Sequence, residues 1–271
     1  MIKIAHKIER RIKHSITRFV SLNKQNRKLR KFRNYHKGED CVILGSGPSL
    51  NDIPHEFLDK FVVFGANLSF KYHKPDYWVV NDAQFSWVKE GRKMCYKNNI
   101  PAFISWVWAD KPEISYTNEI VMYPYRLPTE QSQKNLKLKN HLMNLFNNPL
   151  CLEKKGMSGV NNVLTEGAIP LALYMGFERI FLAGVDFYVA ENNTSHFMND
   201  KLEDQKKIND LTDYLQQIYN SKHDRFYHKR WGIEIISESK NGHKIFNLSE
   251  KSTIQKIPKV NYKDIIIKKV R

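Results

Sequence analysis

The sequence predicts a doubly wound, mostly parallel, Rossmann-like α/β sheet, entered through a basic amphipathic helix at the N-terminus. Three observations predict it. Short, continuous apolar runs alternate with helical patterns through residues 38–250. The runs lack the in-out alternation of a half-exposed strand, as strands covered on both faces do. Four of them run into glycine, asparagine or aspartate, which punctuate tight turns.

Taken in order, DCVILGSG (residues 40–47) reads as the first strand and KFVVFGANLSF (60–70) contains the second. PDYWVVND (75–82) holds the third and IPAFISW (100–106) the fourth. Residues 110–156 mix prolines, tyrosines and polar stretches around one helical pattern. Their length without a clear strand predicts a lid, an acceptor loop or a disordered insert. SGVNNVLTEGAIPLALYMGF (158–177) is a long helical pattern, and ERIFLAGVDF (178–187) is the strand after it. In KLEDQKKINDLTDYLQQIY (201–219), Leu202, Ile208, Leu211, Leu215 and Ile218 recur at helical spacing. The β-branched WGIEIISES (231–239) reads as the closing strand.

Charge divides the chain differently. Of the net +16, residues 1–37 carry +12 and residues 251–271 carry +6, which leaves −2 for residues 38–250. The predicted organisation is therefore a basic amphipathic arm (1–37), a Rossmann-like domain (38–250) and a basic C-terminal tail (251–271). A nucleic-acid-binding domain spreads its cations over a folded face, whereas basic ends on a neutral body suit an anionic membrane surface. In the arm, Ile4, Ile8, Ile12, Ile16 and Phe19 form a narrow apolar stripe among Lys7, Arg10, Arg11, Lys13 and Arg18, the pattern of an interfacial helix. Docking on the chain's own body, or on a second subunit of a homo-oligomer, is the alternative for that stripe. Charges interrupt the segment too often for a secretory signal, and no stretch approaches the ~20 apolar residues of a membrane span. Cys41, Cys95 and Cys151 are widely spaced and form no metal or redox motif. Reduced thiols, and hence a cytoplasmic setting, are expected.

In a doubly wound sheet, ligands sit beyond the carboxyl ends of the strands, where the winding reverses. The candidate residues are thus Gly45, Ser46, Gly47 and Ser49 after the first strand, Asn67 after the second, Asn81 after the third, and Asp186 and Tyr188 after the late strand. The first turn has neither the Lys-Ser/Thr ending of a P-loop nor the third glycine of a dinucleotide fingerprint, since Leu50 stands there. Its backbone N–H groups could hold a phosphate; a tight crossing with no ligand is the alternative. Asn67 and Asn81 suit a ribose, a base edge or a phosphate. Beyond Tyr188, His196 lies in a polar loop, and a histidine can take a proton from an acceptor hydroxyl near neutral pH. No metal site and no cofactor are expected, because the aspartates of VND and GVDF do not form an Asp-x-Asp pair.

VILGSGPSL, the two strand-end asparagines, MSGVNNVLTEGAIPLALYMGFERIFLAGVDFYV and a downstream histidine together resemble the bacterial lipooligosaccharide sialyltransferases that use CMP-sialic acid. The resemblance covers roughly residues 40–200 and the final strand. The same pattern is similar to the glycosyltransferase domains of motility accessory factors and, in fold, to pterin pyrophosphokinase-like proteins. The resemblance implies an inverting, metal-independent glycosyltransferase. It would move a 2-keto sugar acid such as sialic acid or Kdo from a CMP-sugar to a glycan or glycolipid of the bacterial surface, in lipopolysaccharide or capsule synthesis. It implies that Gly45, Ser46, Gly47 and Ser49 line the phosphate and ribose, and that Asn67 and Asn81 contact the nucleotide. Ser158 and Gly159 would sit beside the cytosine or the donor carboxylate. Asp186 would position the site, Tyr188 would donate to the leaving phosphate and His196 would be the base, with His223 and His228 as alternatives. A cytoplasmic enzyme lying peripherally on the inner membrane follows. Two other readings are a pyrophosphokinase-like enzyme using Asp82 and Asp186 on Mg²⁺, and a non-catalytic nucleic-acid-binding protein.

Overall fold

A computed structural model describes residues 27–81, 87–105, 119–122, 131–155, 162–187 and 227–266. Seven parallel strands form one sheet: β1 Asp40–Leu44, β2 Val62–Ala66, β3 Tyr77–Val80, β4 Ala102–Ser105, β5 Glu119–Met122, β6 Arg179–Ala183 and β7 Ile245–Asn247. Their spatial order is β5-β4-β3-β2-β1-β6-β7. The chain winds outward from β1 to β5, then crosses back past β1 to lay down β6 and β7. The winding reverses between β1 and β6, so the expected doubly wound α/β sheet is present and its crevice lies there.

Alternate residues of each strand face opposite layers. Cys41, Ile43, Phe64, Ala66, Tyr77, Val79 and Phe103 join one core. Helices α2 (Gln131–Asn147), α3 (Ile169–Met175) and α4 (Tyr227–Glu234) supply its other side through Leu142, Phe146, Leu171 and Ile233. On the opposite face Trp78, Val80, Ala102 and Ile104 pack under helix α1 (Trp87–Lys97), while Val42, Leu44, Val63 and Phe181 pack under Leu50, Ile53 and Phe57. Both faces are covered, which is why the strands read as unbroken apolar runs.

Two expectations are corrected. Residues 110–156 contain a fifth strand as well as the expected helix. β5 escapes a hydropathy reading because its four residues, which open on a charge, stand within a stretch of prolines, tyrosines and polar residues. That charge, Glu119, is buried and held bidentately by the buried Arg92 at 2.6 and 2.7 Å, a fork-to-fork pairing that compensates its removal from water. Second, WGIEIISES is not a strand. It is the end of α4 followed by a 3-10 turn, Ile235–Glu238, and the closing strand is β7 further on. Ile233, Ile235 and Ile236 have the β-branched composition of a strand, but packing into the core beside α2 overrides that propensity.

The basic ends are not detached from the body where they are described. In residues 27–37, Leu29 is buried, the N–H groups of Asn34 and His36 donate to the carbonyls of Tyr174 and Met175, and His36 stacks on Phe177. At the other end Ser252, Ile254 and Ile257 are buried and Tyr262 packs on Phe57. The stripe from Ile4 to Phe19 and the helical pattern at 201–219 lie outside the described residues. Among the described residues no helix is long and apolar enough to cross a membrane.

All three cysteines are free and buried. Burial pushes the Cys95 thiol up to about 12, with Glu119 adding to it, and raises that of Cys41, with Asp40 adding to it. Thiolate is the reactive form, so a disulfide reagent at pH 8 should leave the native protein unlabelled within minutes and titrate three thiols once urea is added. Fast labelling of the folded protein would show that one of these layers opens.

Candidate active site

Register brings the sequence candidates to one rim. Leu44 pairs with Ala183 on one side and with Gly65 on the other, so the turn after β1 lies between the chain leaving β6 and the chain leaving β2. Ala66 pairs with Val79, which sets Asn67 beside the end of β3 and next to Asn81. The carboxyl ends of β6, β1, β2 and β3 therefore present, in spatial order, Asp186, Gly45–Ser49, Asn67 and Asn81. None of these positions is cationic.

The turn itself is built differently from a phosphate cradle. The N–H of Gly45 donates to the Ala183 carbonyl at 2.7 Å and that of Gly47 to the Gly184 carbonyl at 2.8 Å. The N–H of Ser49 donates to Asp186 Oδ2 at 2.8 Å, and its hydroxyl donates to Asp186 Oδ1. Three donors that would have faced an anion are already used inside the protein. A Cβ on Gly45 would lie 2.3 Å from the Gly184 oxygen, and one on Gly47 would lie 2.5 Å from Asp186 Oδ2. These glycines permit β1 and β6 to leave the sheet in contact; the expectation that the turn's own amides grip the phosphate is revised accordingly.

Asp186 is 2% exposed. Both its oxygens are engaged by Ser49, so it buttresses the turn. Removing a carboxylate from water is costly unless charge-assisted hydrogen bonds replace the lost solvation, and the Ser49 pair supplies them.

Asn67 has a positive φ of 51°, which asparagine tolerates better than other side-chain-bearing residues. Its carbonyl accepts from Trp78 Nε1 at 2.8 Å, and its Oδ1 accepts from the Asn81 N–H at 3.3 Å. Because a backbone N–H can only donate, this bond sets which way the Asn67 amide faces. Ser69 Oγ donates to the Leu44 carbonyl at 3.1 Å and ties the chain after β2 to the end of β1. The partly exposed members of the rim are Ser46, Gly47, Asn67 and Asn81, while Gly45, Ser49 and Asp186 are buried behind them.

Ser158, Gly159, Tyr188 and His196 lie outside the described residues, as do Asp82 and His223. Asn162 opens the helix that follows Ser158 and Gly159: its Oδ1 accepts from the N–H groups of Leu164 and Thr165, and the helix begins with a π turn, Val163–Ala168. Among the described residues no group of three or more His, Cys, Asp or Glu side chains could hold a metal ion.

Sequence reasoning missed Ser252 and Thr253. Their hydroxyls and the Thr253 N–H bind the carbonyls of Val185, Asp186 and Phe187, directly behind the rim. A signal was present: Ile254 and Ile257 are apolar within a stretch otherwise set apart by its charge.

No protein-family model matches the chain, and no curated protein matches it in sequence. Solved structures are similar to it. The sialyltransferase CstII from Campylobacter jejuni, in complex with a substrate analogue, cytidine-5'-monophosphate, is 16% identical, with 85% of this chain and 89% of that one covered and a TM-score of 0.42. A variant of that sialyltransferase in complex with CMP is 17% identical over 84% of this chain and 90% of its own, with a TM-score of 0.47. The MAf glycosyltransferase from Magnetospirillum magneticum AMB-1 is 14% identical over 86% of this chain but 35% of its own length, also with a TM-score of 0.47. The chain is thus similar in structure to the sialyltransferase CstII and to the MAf glycosyltransferase.

Proposed function

We propose that the protein is a glycosyltransferase that uses a CMP-activated 2-keto sugar acid and transfers the sugar, with inversion and without a metal, to a glycan or glycolipid acceptor. The observation that carries this reading is the neutral rim at the β1/β6 reversal: Ser46, Gly47, Asn67 and Asn81, buttressed by the Ser49–Asp186 clamp. A rim that carries the Ser46 hydroxyl and the side-chain amides of Asn67 and Asn81 suits a ribose and a nucleoside monophosphate. A triphosphate calls for lysine and Mg²⁺ ligands, which these positions lack.

The chemistry divides among named residues. Asn67 and Asn81 orient the nucleotide, and Ser158 and Gly159 hold the base or the donor carboxylate. As the glycosidic bond to phosphate breaks, charge grows on the departing phosphate oxygens and the Tyr188 hydroxyl donates to them. His196 removes the proton from the acceptor hydroxyl that attacks the opposite face of the sugar carbon. CMP departs with less charge than a nucleoside diphosphate, so a metal is dispensable. The basic amphipathic arm, residues 1–37, holds the enzyme through its stripe from Ile4 to Phe19 at an anionic membrane surface where a glycolipid acceptor lies.

CMP at a hundred times its Kd should stabilise the protein by about 2.7 kcal/mol without added metal, a rise in Tm on the order of 5–10 °C for a chain of this size. Asn67→Gly keeps the positive-φ backbone comfortable while removing the amide, and it should abolish the shift. Stabilisation by ATP with Mg²⁺, and none by CMP, would reject this reading in favour of a pyrophosphokinase-like one.

A further inference from the structure

We infer that Ser252 and Thr253 are positioning residues for the crevice, acting through Asp186; the identity of the ligand they serve rests on the nucleotide reading above. The chain leaves β6 through three residues that make no further sheet bonds, and each of their carbonyls is captured by this pair. Ser252 Oγ lies 2.8 Å from the Val185 oxygen and 3.3 Å from that of Asp186. Thr253 Oγ1 lies 3.2 Å from the Asp186 oxygen and 3.1 Å from that of Phe187, and the Thr253 N–H donates to Asp186 at 2.9 Å. A hydroxyl has one proton to give, so each serves two carbonyls by sharing it.

The capture has a conformational consequence. Phe187 sits at φ 54°, in the left-handed region that a bulky side chain rarely occupies unless its surroundings over-determine it. Fixing the carbonyls on both sides of its N–Cα bond does so. It also fixes Asp186, whose side chain holds the N–H and hydroxyl of Ser49 and with them the turn after β1.

The pair is itself firmly seated. Ile254 and Ile257 are buried in the core under the sheet. Lys259 Nζ donates to the carbonyls of Ser252 at 2.7 Å and Glu250 at 2.9 Å, closing the bend before the pair. A segment with the charge of a solvated tail is therefore a strap across the ends of β6 and β7, and its two hydroxyls hold the wall of the crevice.

The test uses the full chain, with CMP as the ligand probed. Thr253→Val keeps the volume and the N–H but loses the hydroxyl; Thr253→Ser restores it; Ser252→Ala gives an independent lesion if the valine variant folds poorly. Residue-resolved hydrogen exchange and CMP titration are read together. Loss of one such bond should speed exchange at the Ser49 amide about tenfold and weaken CMP about tenfold, while the amides of β3 keep their wild-type rates and Thr253→Ser recovers both. Unchanged exchange at Ser49 in both lesions overturns the inference. So does a uniform rise that includes β3, which marks a purely global contribution, or faster Ser49 exchange with undiminished CMP binding. If the wild type shows no CMP binding but Ser49 responds as stated, the strap's role stands and the nucleotide reading fails.

Discussion

Gly45→Ala should leave little soluble, cooperatively folded protein. The added methyl carbon would lie 2.3 Å from the Gly184 carbonyl oxygen and 3.0 Å from its carbon, and neither is the movable end of a side chain. Relief requires β1 and β6 to separate where they pair most extensively, from Asp40↔Arg179 to Leu44↔Ala183. Overpacking against backbone costs roughly 3 kcal/mol or more, out of a total stability of about 5–15 kcal/mol for a domain. Gly232→Ala is the matched control. It lies within α4, and its nearest neighbour would be the Thr165 methyl at 3.6 Å, an ordinary contact. Alanine there should be neutral or stabilising by about 0.5–1 kcal/mol, the helix-propensity gain over glycine. Urea unfolding of the two variants checks the contrast. Near-wild-type stability for Gly45→Ala would mean that the close approach of β1 and β6 is not a feature of the folded protein.

His196→Ala should lower turnover by ~10²–10⁴-fold, the usual worth of a positioned general base, with donor affinity nearly unchanged because the base acts on the acceptor. The pH profile gives a second signature. An imidazole accepts a proton only when neutral, so the wild-type rate should fall on the acid side of the profile, and that limb should vanish in the variant. His223 and His228 are the alternatives. A near-normal His196→Ala with a large loss in one of the other two reassigns the base and keeps the mechanism. Full activity in all three variants excludes a histidine base.

The expected and observed architectures agree where apolar runs are long and diverge where they are short. β1, β2, β3, β4 and β6 were recognisable because strands covered on both faces must be apolar along their length. β5 was not, since its four residues stand within a proline-rich polar stretch, and the burial of its opening glutamate depends on Arg92, 27 positions earlier. The isoleucines at 233, 235 and 236 misled in the opposite direction. Their β-branched chemistry is that of a strand, but the space beneath the sheet accommodates them as a helix and a 3-10 turn.

The candidate site shows the same division. Motif and turn chemistry picked out Gly45, Ser46, Gly47, Ser49, Asn67, Asn81 and Asp186, and the β1/β6 reversal places them along one rim. Their roles could not be read in one dimension. Glycine after a strand has the same letter whether it cradles an anion or makes room for a neighbouring backbone. Only the Gly184 carbonyl and the Asp186 carboxylate, brought in by β6, distinguish the two. Asn67 likewise reads as a ligand group or a left-handed turn residue, and it has a backbone reason to be asparagine in addition to any contact it makes.

By itself, the sequence determined the doubly wound class and the neutral body between basic ends, and it offered the strand-end residues as candidates for a site. All three follow from local periodicity, composition and turn preference, which act over a few residues. Tertiary structure decided which donors the site retains, that Asp186 serves Ser49, and that Ser252 and Thr253 belong behind it. The Ser49–Asp186 bond spans 137 positions, and the strap bonds span up to 67. A hydrogen bond is worth something only at contact distance, and no local pattern encodes which distant segments will meet; burial of both faces of the sheet is what brings them together.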